Sequence, residues 1–188
     1  MVVGACWLEE ERVSALKAAG ATDSKQLSHK QRLARREALS QVAGFAVRSL
    51  SPAVIDAGNL NALEEEVFAE LILAVRPDRV IIDAPCNPRG IPAFCARLRR
   101  RLGYSPALVV EPKADLNHAP CGAASIFAKV ERDAAIAALG PEVGSGYPSD
   151  PVTRAYLSGY LARGEALPAC VRQRWGTLDN LRQQALFG

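Results

Sequence analysis

Two aspartates follow short apolar segments and could act together at a phosphate group. Asp83 ends the segment Val80-Ile81-Ile82, and Asp115 comes shortly after the segment Ala107–Val110. If these segments are adjacent parallel strands, each ending on its aspartate, both carboxylates lie at the sheet edge where ligands bind in α/β folds. Carboxylate oxygens are the ligands that Mg²⁺ and Mn²⁺ prefer. The pair therefore predicts a metal site of the kind that supports in-line displacement at phosphorus.

Each of these positions also has a purely structural interpretation. Asp83 precedes Ala84-Pro85, where an aspartate readily starts a turn. Asp115 opens the polar loop Leu116-Asn117-His118 and could be an ordinary loop residue. The small residues Gly122-Ala123-Ala124-Ser125 allow the backbone to approach closely, either to another element or to a phosphate. Both alternatives stay open from the local sequence.

Basic residues are clustered along the chain. The formal net charge is only +3, which by itself does not indicate a nucleic-acid-binding protein. Basic clusters attract phosphates, but they are also common on solvated helix faces. The clusters comprise Lys25, Lys30, Arg32, Arg35 and Arg36, then Arg97, Arg99, Arg100 and Arg101, and finally Arg172 and Arg174.

The composition is that of a globular protein. With 188 residues, 49% apolar and 23% charged, the chain can form one domain with a substantial core. The five cysteines are odd in number and widely spaced, without a C-x-x-C pair, which argues against a disulfide framework and a zinc site. There is neither a membrane-length apolar run nor a recognisable secretory leader, so we expect a cytoplasmic protein.

Apolar spacing predicts the elements that must position the candidate residues. Ser28, followed by Gln31 three residues later, predicts a capping box at the start of a helix. Strands that alternate with helices indicate an α/β domain with a mixed sheet. The predicted strands are 1–8, 45–50, 79–83 and 107–110; the predicted helices are 27–42, 60–75, 92–102, 123–139, 153–163 and 178–186, with a loop at 140–150.

Six segments, in order and at compatible spacing, resemble the type 2 ribonucleases H, also called ribonucleases HII. They cover nearly the whole chain, which makes a coincidental match improbable. Two of them resemble the branch found in archaea and eukaryotes, namely Gly144–Pro151 and Val171–Thr177. The other four are Asp23–Ser28 (D-S-K-K-L-S in the family), Asn59–Glu64 (N-x-N-x-L-E), Val80–Asp83 (the strand with the third catalytic aspartate), and Lys113–Asp115 followed by Ala123–Asp133 (K-A-D…A-A-S-I-x-A-K-V-x-R-D).

The resemblance implies a fold and an activity. The fold is a ribonuclease H-like mixed sheet of five strands with flanking helices, in one domain over residues 1–188 whose residues 140–188 form a C-terminal helical part. The activity is endonucleolytic cleavage of RNA in RNA–DNA hybrids and of ribonucleotides embedded in DNA. In this family four acidic residues hold two Mg²⁺ or Mn²⁺ ions, and the products carry 5′-phosphate and 3′-hydroxyl ends. We expect a monomer with no membrane partner.

The resemblance also assigns roles to individual residues. Asp83 and Asp115 correspond to catalytic metal ligands. Ser24 and Lys25 correspond to residues that hold backbone phosphates, a role that positions the substrate without reading its sequence. Tyr147 corresponds to the tyrosine that stacks at the RNA–DNA junction.

One family motif is absent from the sequence. The family begins with a central strand leading into D-E-A-G-R-G, which supplies two acids and recognises the 2′-hydroxyl group, whereas Met1–Trp7 resembles the second strand. We therefore expect an N-terminally truncated chain with unpaired backbone groups on two neighbouring strands. The alternative is a catalytically inactive remnant that binds RNA–DNA hybrids. If the chain were fully active as it stands, Glu111 and Asp133 would be the first acids to test.

Overall fold

The computed structural model describes residues 1–21 and 27–187. Ser24 and Lys25, the predicted phosphate-binding residues, lie outside these ranges. The chain divides into two compact units. The α/β unit contains residues 2–49 and 60–131, and the helical unit contains residue 1, residues 50–59 and residues 132–188.

The α/β unit contains four strands in two pairs. Strand β1 (Val2–Trp7) is antiparallel to β2 (Gly44–Ser49), and β3 (Arg79–Asp83) is parallel to β4 (Ala107–Glu111). The parallel pair is joined through a helix, as parallel connections require. The α/β class and the four predicted strands are confirmed, but within residues 1–21 and 27–187 the strands form two separate ladders instead of one sheet.

Helices make up most of the remaining structure. The six predicted helices are confirmed to within a few residues, and the helix predicted over residues 60–75 has those bounds in the structure. Three short helices of four to six residues were not predicted, because so few residues show no periodicity. The helices are α1 (Val13–Ala18), α2 (His29–Ser40), α3 (Pro52–Ala57), α4 (Leu60–Val75), α5 (Ile91–Leu102), α6 (Ala114–Asn117), α7 (Ala119–Ala137), α8 (Pro151–Ala162) and α9 (Gly176–Phe187).

The predicted capping box at the start of α2 is present. The Gln31 backbone N–H donates to Ser28 Oγ at 3.3 Å, and the Ser28 backbone N–H donates to Gln31 Oε1 at 2.8 Å. These two bonds satisfy backbone donors that have no partner inside the helix. The helix therefore begins where the sequence indicates.

Two apolar clusters form the core of the α/β unit. In one, α7 packs against β1 and β2 through Ile126 and Phe127, and the Phe127 ring stacks on Phe45 with centroids 3.6 Å apart. In the other, α5 packs under β3, with Phe94 and Leu98 almost completely buried. The strand pairs are thus held by helices of their own unit.

The small residues at the start of α7 serve packing against β1. A Cβ atom on Gly4 would overlap the carbonyl oxygen of Ala124. Ala123 is also fully buried. Of the two alternatives for this segment, close approach to another element is therefore the one that the structure shows.

The helical unit has its own small core. Leu157 of α8 packs against Leu178 and Leu181 of α9. The carboxylate of Asp56, in α3, accepts a hydrogen bond from the backbone N–H of Gln173 at 2.5 Å. No helix in the described part of the chain is long and apolar enough to cross a membrane.

Candidate active site

Asp83 lies where the sequence predicted it, at the end of a strand that pairs with a parallel neighbour. In the β3–β4 register its partner is Glu111, the last residue of β4. The ladder continues by one bond, since the Ala84 N–H donates to the Glu111 carbonyl oxygen at 2.9 Å. The side chains of two acids therefore leave the same sheet edge on adjacent strands.

The position of Asp115 corrects one prediction. Asp115 does not end a strand, because β4 stops at Glu111 and Lys113 takes a left-handed conformation with φ of 61°. This turn starts the short helix α6, in which Asp115 is only 5% exposed. The turn at Lys113 also directs the Ala114 backbone N–H to Asp83 Oδ1, 3.1 Å away. Asp83 and Asp115 are thus brought together, through a turn that the strand pattern does not show.

The thiol of Cys121, in α7, lies against the strand that ends at Asp83. Its Sγ atom donates to the Ile81 carbonyl oxygen at 3.3 Å. Burial and then the negative charges of Asp83, Asp115 and Glu111 raise the pKa of Cys121 to about 12. Each of these charges disfavours the thiolate, so all three act on the thiol in the same direction. The resulting negative potential favours a bound cation.

Glu111 is the acid that the strand pattern could have indicated more strongly. It ends β4 as Asp83 ends β3, yet the sequence indicated it only as an acid to test if the chain were active as it stands. Its carboxylate accepts from Asn117 Nδ2 at 2.7 Å and lies 3.2 Å from His118 Nε2. The hydrogen bond from Asn117, with a further contribution from His118, lowers the pKa of Glu111.

The chemistry of the donor set fits Mg²⁺ or Mn²⁺. Asp83 and Asp115 supply hard carboxylate oxygens, and Asp83 is exposed while Asp115 is buried. Within residues 1–21 and 27–187, no group of three or more His, Cys, Asp or Glu side chains is arranged to hold a metal ion. Asp83 and Asp115 remain the candidate metal ligands because the Ala114 N–H bond to Asp83 brings them together.

A cavity of about 440 Å³ in the α/β unit runs along β1 and β3 and includes Asp83 and Asp115 in its wall. Each of these strands pairs on one edge only within the described ranges, β1 with β2 and β3 with β4. All residues of both strands line the cavity, whose wall is mainly apolar. The strands run in opposite directions, because Arg79 at the start of β3 lies 3.7 Å from Glu10, just beyond the end of β1. The unpaired edges of β1 and β3 thus border the same cavity, and Asp83 and Asp115 lie in its wall.

This cavity explains a difference from the sequence prediction for β1. The strand was expected to be buried, but Val3 is its only buried residue. The other five residues are half-buried. They line a space that no described strand occupies.

Tyr147, the predicted stacking residue, belongs to the helical unit. It follows Gly146, whose φ is 70°, in the loop between α7 and α8. Its side chain is among the exposed large apolar groups, with 44% of the residue accessible. An aromatic ring held on a loop at the surface is suited to stacking with a nucleic-acid base or sugar.

The basic cluster on α5 is partly accounted for by ion pairs within the α/β unit. Arg97 Nε donates to Glu65 Oε1 at 2.7 Å, and Glu65 is only 4% exposed. Arg101 lies 3.5 Å from Glu66. For these two arginines, which are exposed like Arg99, the ion pairs favour the interpretation as a helix face.

Comparison with known proteins identifies the family. The family model described as Ribonuclease HII matches residues 1–178. Ribonuclease HII of Thermococcus sibiricus is 37% identical over 193 residues, which cover 98% of this chain and 85% of the relative.

Solved structures show the same fold. Ribonuclease HII in its complex with PCNA from Archaeoglobus fulgidus is similar with a TM-score of 0.85 and 35% identity, over 97% of this chain and 89% of that chain. Ribonuclease H2 from Pyrococcus horikoshii OT3 gives a TM-score of 0.82 and 28% identity over 100% of both chains. The ribonuclease H-like fold class expected from the sequence is confirmed.

Proposed function

This chain belongs to the ribonuclease HII family, and from that premise we propose that Asp83 and Asp115 form part of its metal-binding catalytic centre. Membership makes the protein a type 2 ribonuclease H, an endonuclease of RNA–DNA hybrids. The observation that carries the proposal is the Ala114 N–H bond to Asp83, which fixes the helix bearing Asp115 against the end of β3.

The two aspartates differ in what they can do. Asp83 is exposed and Asp115 is buried, so Asp83 would hold a cation on the side open to substrate and Asp115 would hold it from within the protein. Bound divalent ions would lower the pKa of a water molecule and neutralise charge on the phosphate. The water oxygen then bonds to phosphorus, the bond from phosphorus to O3′ breaks, and O3′ takes up a proton. The products are a 5′-phosphate and a 3′-hydroxyl.

Two aspartates are fewer ligands than the four acids of the family. A strand seated between β1 and β3 would lie along the cavity that ends at Asp83 and Asp115. Because β1 and β3 run in opposite directions, such a strand would be parallel to one and antiparallel to the other, and it would pair with both open edges. Acidic residues at the end of this strand would lie beside Asp83 and Asp115 and add to the metal ligands. We expect the family's D-E-A-G-R-G strand to complete the centre in this way.

Substrate binding is proposed for three further residues. Tyr147 stacks at the junction between RNA and DNA, which its exposed ring permits. Ser24 and Lys25, outside the described ranges, hold backbone phosphates. The substrates are RNA–DNA hybrids and duplex DNA with embedded ribonucleotides, where the 2′-hydroxyl is the group that distinguishes RNA from DNA.

The test is cleavage of a DNA duplex that carries one ribonucleotide, with and without Mg²⁺ or Mn²⁺, with the ends identified by mass spectrometry. In the chain supplied with a D-E-A-G-R-G strand, we expect cleavage that depends on the metal and leaves 5′-phosphate and 3′-hydroxyl ends. A 2′,3′-cyclic phosphate or cleavage in EDTA would overturn the proposal. Tight binding without cleavage, also after a D-E-A-G-R-G strand is supplied, would instead establish a hybrid-binding remnant.

A further inference from the structure

The ring of Tyr147 is covered on one face by an arginine of the same unit. The guanidinium carbon of Arg132 lies 3.7 Å from the ring centroid, the shortest such contact within the described ranges. At this distance the guanidinium lies directly over the ring face, an arrangement favoured by the ring quadrupole. A ring with one face covered in this way has only its other face for a ligand.

Arg132 is itself held in place by two further contacts. Its Nη2 donates to the Ser145 carbonyl oxygen at 2.7 Å, and its Nη1 donates to Asp133 Oδ1 at 3.1 Å. Its side chain is 23% exposed. The guanidinium therefore forms a fixed platform beneath Tyr147.

The loop is also held by hydrogen bonds that do not involve Arg132. The carboxylate of Asp150 accepts from the backbone N–H and the hydroxyl of Ser145, at 2.5 and 2.8 Å. Thr153 Oγ1 accepts from the Gly146 N–H at 2.9 Å and donates to the Val143 carbonyl oxygen at 2.8 Å. Loss of the arginine platform should thus free the ring without unfolding the loop.

Gly146 explains how the platform fits under the loop. A Cβ atom there would lie 2.9 Å from Ile136 Cδ1 and 3.1 Å from Arg132 Nη2. Its φ of 70° is also in the region that favours glycine. The glycine lets the loop lie directly on α7, which brings Tyr147 over Arg132.

We propose that Arg132 is a positioning residue that presents one face of the Tyr147 ring to the nucleic acid and thereby sets the preference for RNA–DNA junctions. This inference rests on the proposed stacking role of Tyr147. Arg132 acts through the ring and not through a phosphate, because its Nη1 and Nη2 already donate to Asp133 and Ser145 and its guanidinium lies over the ring. The preference for a junction over plain DNA should fall when the ring loses its support.

The experiment is a double-mutant cycle with Arg132→Gln, Tyr147→Ala and the double variant of the full chain. The dissociation constant is measured by fluorescence anisotropy, in EDTA, for a duplex with one ribonucleotide and for the all-DNA duplex. We expect Arg132→Gln to weaken junction binding about fivefold, since a cation–π contact of about 1 kcal/mol corresponds to that factor. Binding to the all-DNA duplex should stay within about twofold. In the Tyr147→Ala background the Arg132 substitution should have no further effect.

Two control variants accompany the cycle. Arg154→Gln removes another arginine that reaches the loop, at the Pro148 carbonyl oxygen 3.4 Å away, and should leave junction preference unchanged. Arg132→Lys keeps the charge without the planar group, so it should restore only part of the affinity. If Arg132→Gln does not fold, as judged by its melting curve, this lysine variant is carried through the same cycle.

The outcomes distinguish the proposed stacking role of Tyr147 from the proposed positioning role of Arg132. If Tyr147→Ala leaves junction binding unchanged, the proposed stacking role fails, and the inference with it. If Tyr147→Ala weakens junction binding but the Arg132 variants do not, only the positioning inference is overturned. A loss that persists undiminished in the Tyr147→Ala background also overturns it, because Arg132 then acts independently of the ring.

Discussion

The backbone N–H of Ala114 donates to Asp83 Oδ1 across 3.1 Å, and this bond joins the end of β3 to the helix that holds Asp115. The two residues are 31 positions apart in the chain. The bond depends on the left-handed turn at Lys113, a conformation that a non-glycine residue adopts only when its surroundings impose it. The geometry of the site is thus maintained by backbone contacts as well as by the acids.

Replacement of Asp83 by Asn should nearly abolish cleavage while hybrid binding survives. Asparagine keeps an oxygen acceptor for the Ala114 N–H but lacks the negative charge that binds a divalent ion. Cleavage of a duplex with one ribonucleotide is measured at saturating Mg²⁺, in the chain supplied with the D-E-A-G-R-G strand. Asp78→Asn, an exposed change at the other end of β3, is the matched control. Activity of Asp83→Asn within about threefold of the parent would contradict the assignment.

A strand placed between β1 and β3 should raise both stability and activity. The 188-residue chain should show little cleavage, because Mg²⁺ needs near-octahedral coordination that two carboxylates do not supply. An N-terminal extension with an apolar strand ending in D-E-A-G-R-G should raise the melting temperature by pairing with the open edges, and should increase cleavage.

The control for this experiment is the same extension ending in N-Q-A-G-R-G. It should give the gain in melting temperature without the gain in cleavage, which separates strand pairing from metal binding. If the chain without any extension cuts as fast as the extended one, the incomplete-site interpretation is wrong. Glu111 and Asp133 would then be the first acids to mutate.

Asp150 should make stability depend on pH in the acid range. Hydrogen bonds from the Ser145 backbone and hydroxyl are the main reason that its pKa falls from 3.8 to about 2. Because the pKa of Asp150 is lower in the folded state than in the unfolded state, its ionised carboxylate stabilises the fold at pH values above the unfolded-state pKa. This contribution to stability is lost as the pH falls from about 4 to about 2. The melting temperature should therefore fall more steeply over this window in the parent than in Asp150→Asn. Asp179→Asn, at an exposed acid paired with Arg182, is the control and should behave like the parent.

Gly4→Ala should destabilise the α/β unit by about 1–3 kcal/mol, the usual cost of forcing an extra carbon into a packed contact. The added Cβ meets the carbonyl oxygen of Ala124, which cannot move without displacing α7. Gly176→Ala is a suitable comparison, since nothing lies within 4 Å of a Cβ at that position. Urea denaturation measures the free energy of unfolding of both variants. Equal values for the two would show that β1 and α7 are not closely packed there.

Local patterns allowed much of the secondary structure to be predicted. Helix α4 has the predicted bounds because its apolar residues repeat at helical spacing over 16 residues, and α2 begins at the predicted cap, Ser28. The placement of Asp83 at a strand end was also confirmed, because a short apolar segment directly precedes it. The short helix α6 was missed, because four residues carry no periodic signal and its start depends on a strained turn at Lys113.

The sequence by itself determined the family, the class of chemistry and the identity of Asp83, Asp115 and Tyr147 as candidates, because motifs and periodicities are local properties of a chain. Only the tertiary structure decided which groups meet. The approach of Gly4 to α7 and the bond from the Ala114 N–H to Asp83 join residues far apart in sequence, and the stacking of Arg132 on Tyr147 joins a helix to the following loop. Such contacts depend on how strands pair and helices pack, and these follow from burial of apolar surface across the whole unit.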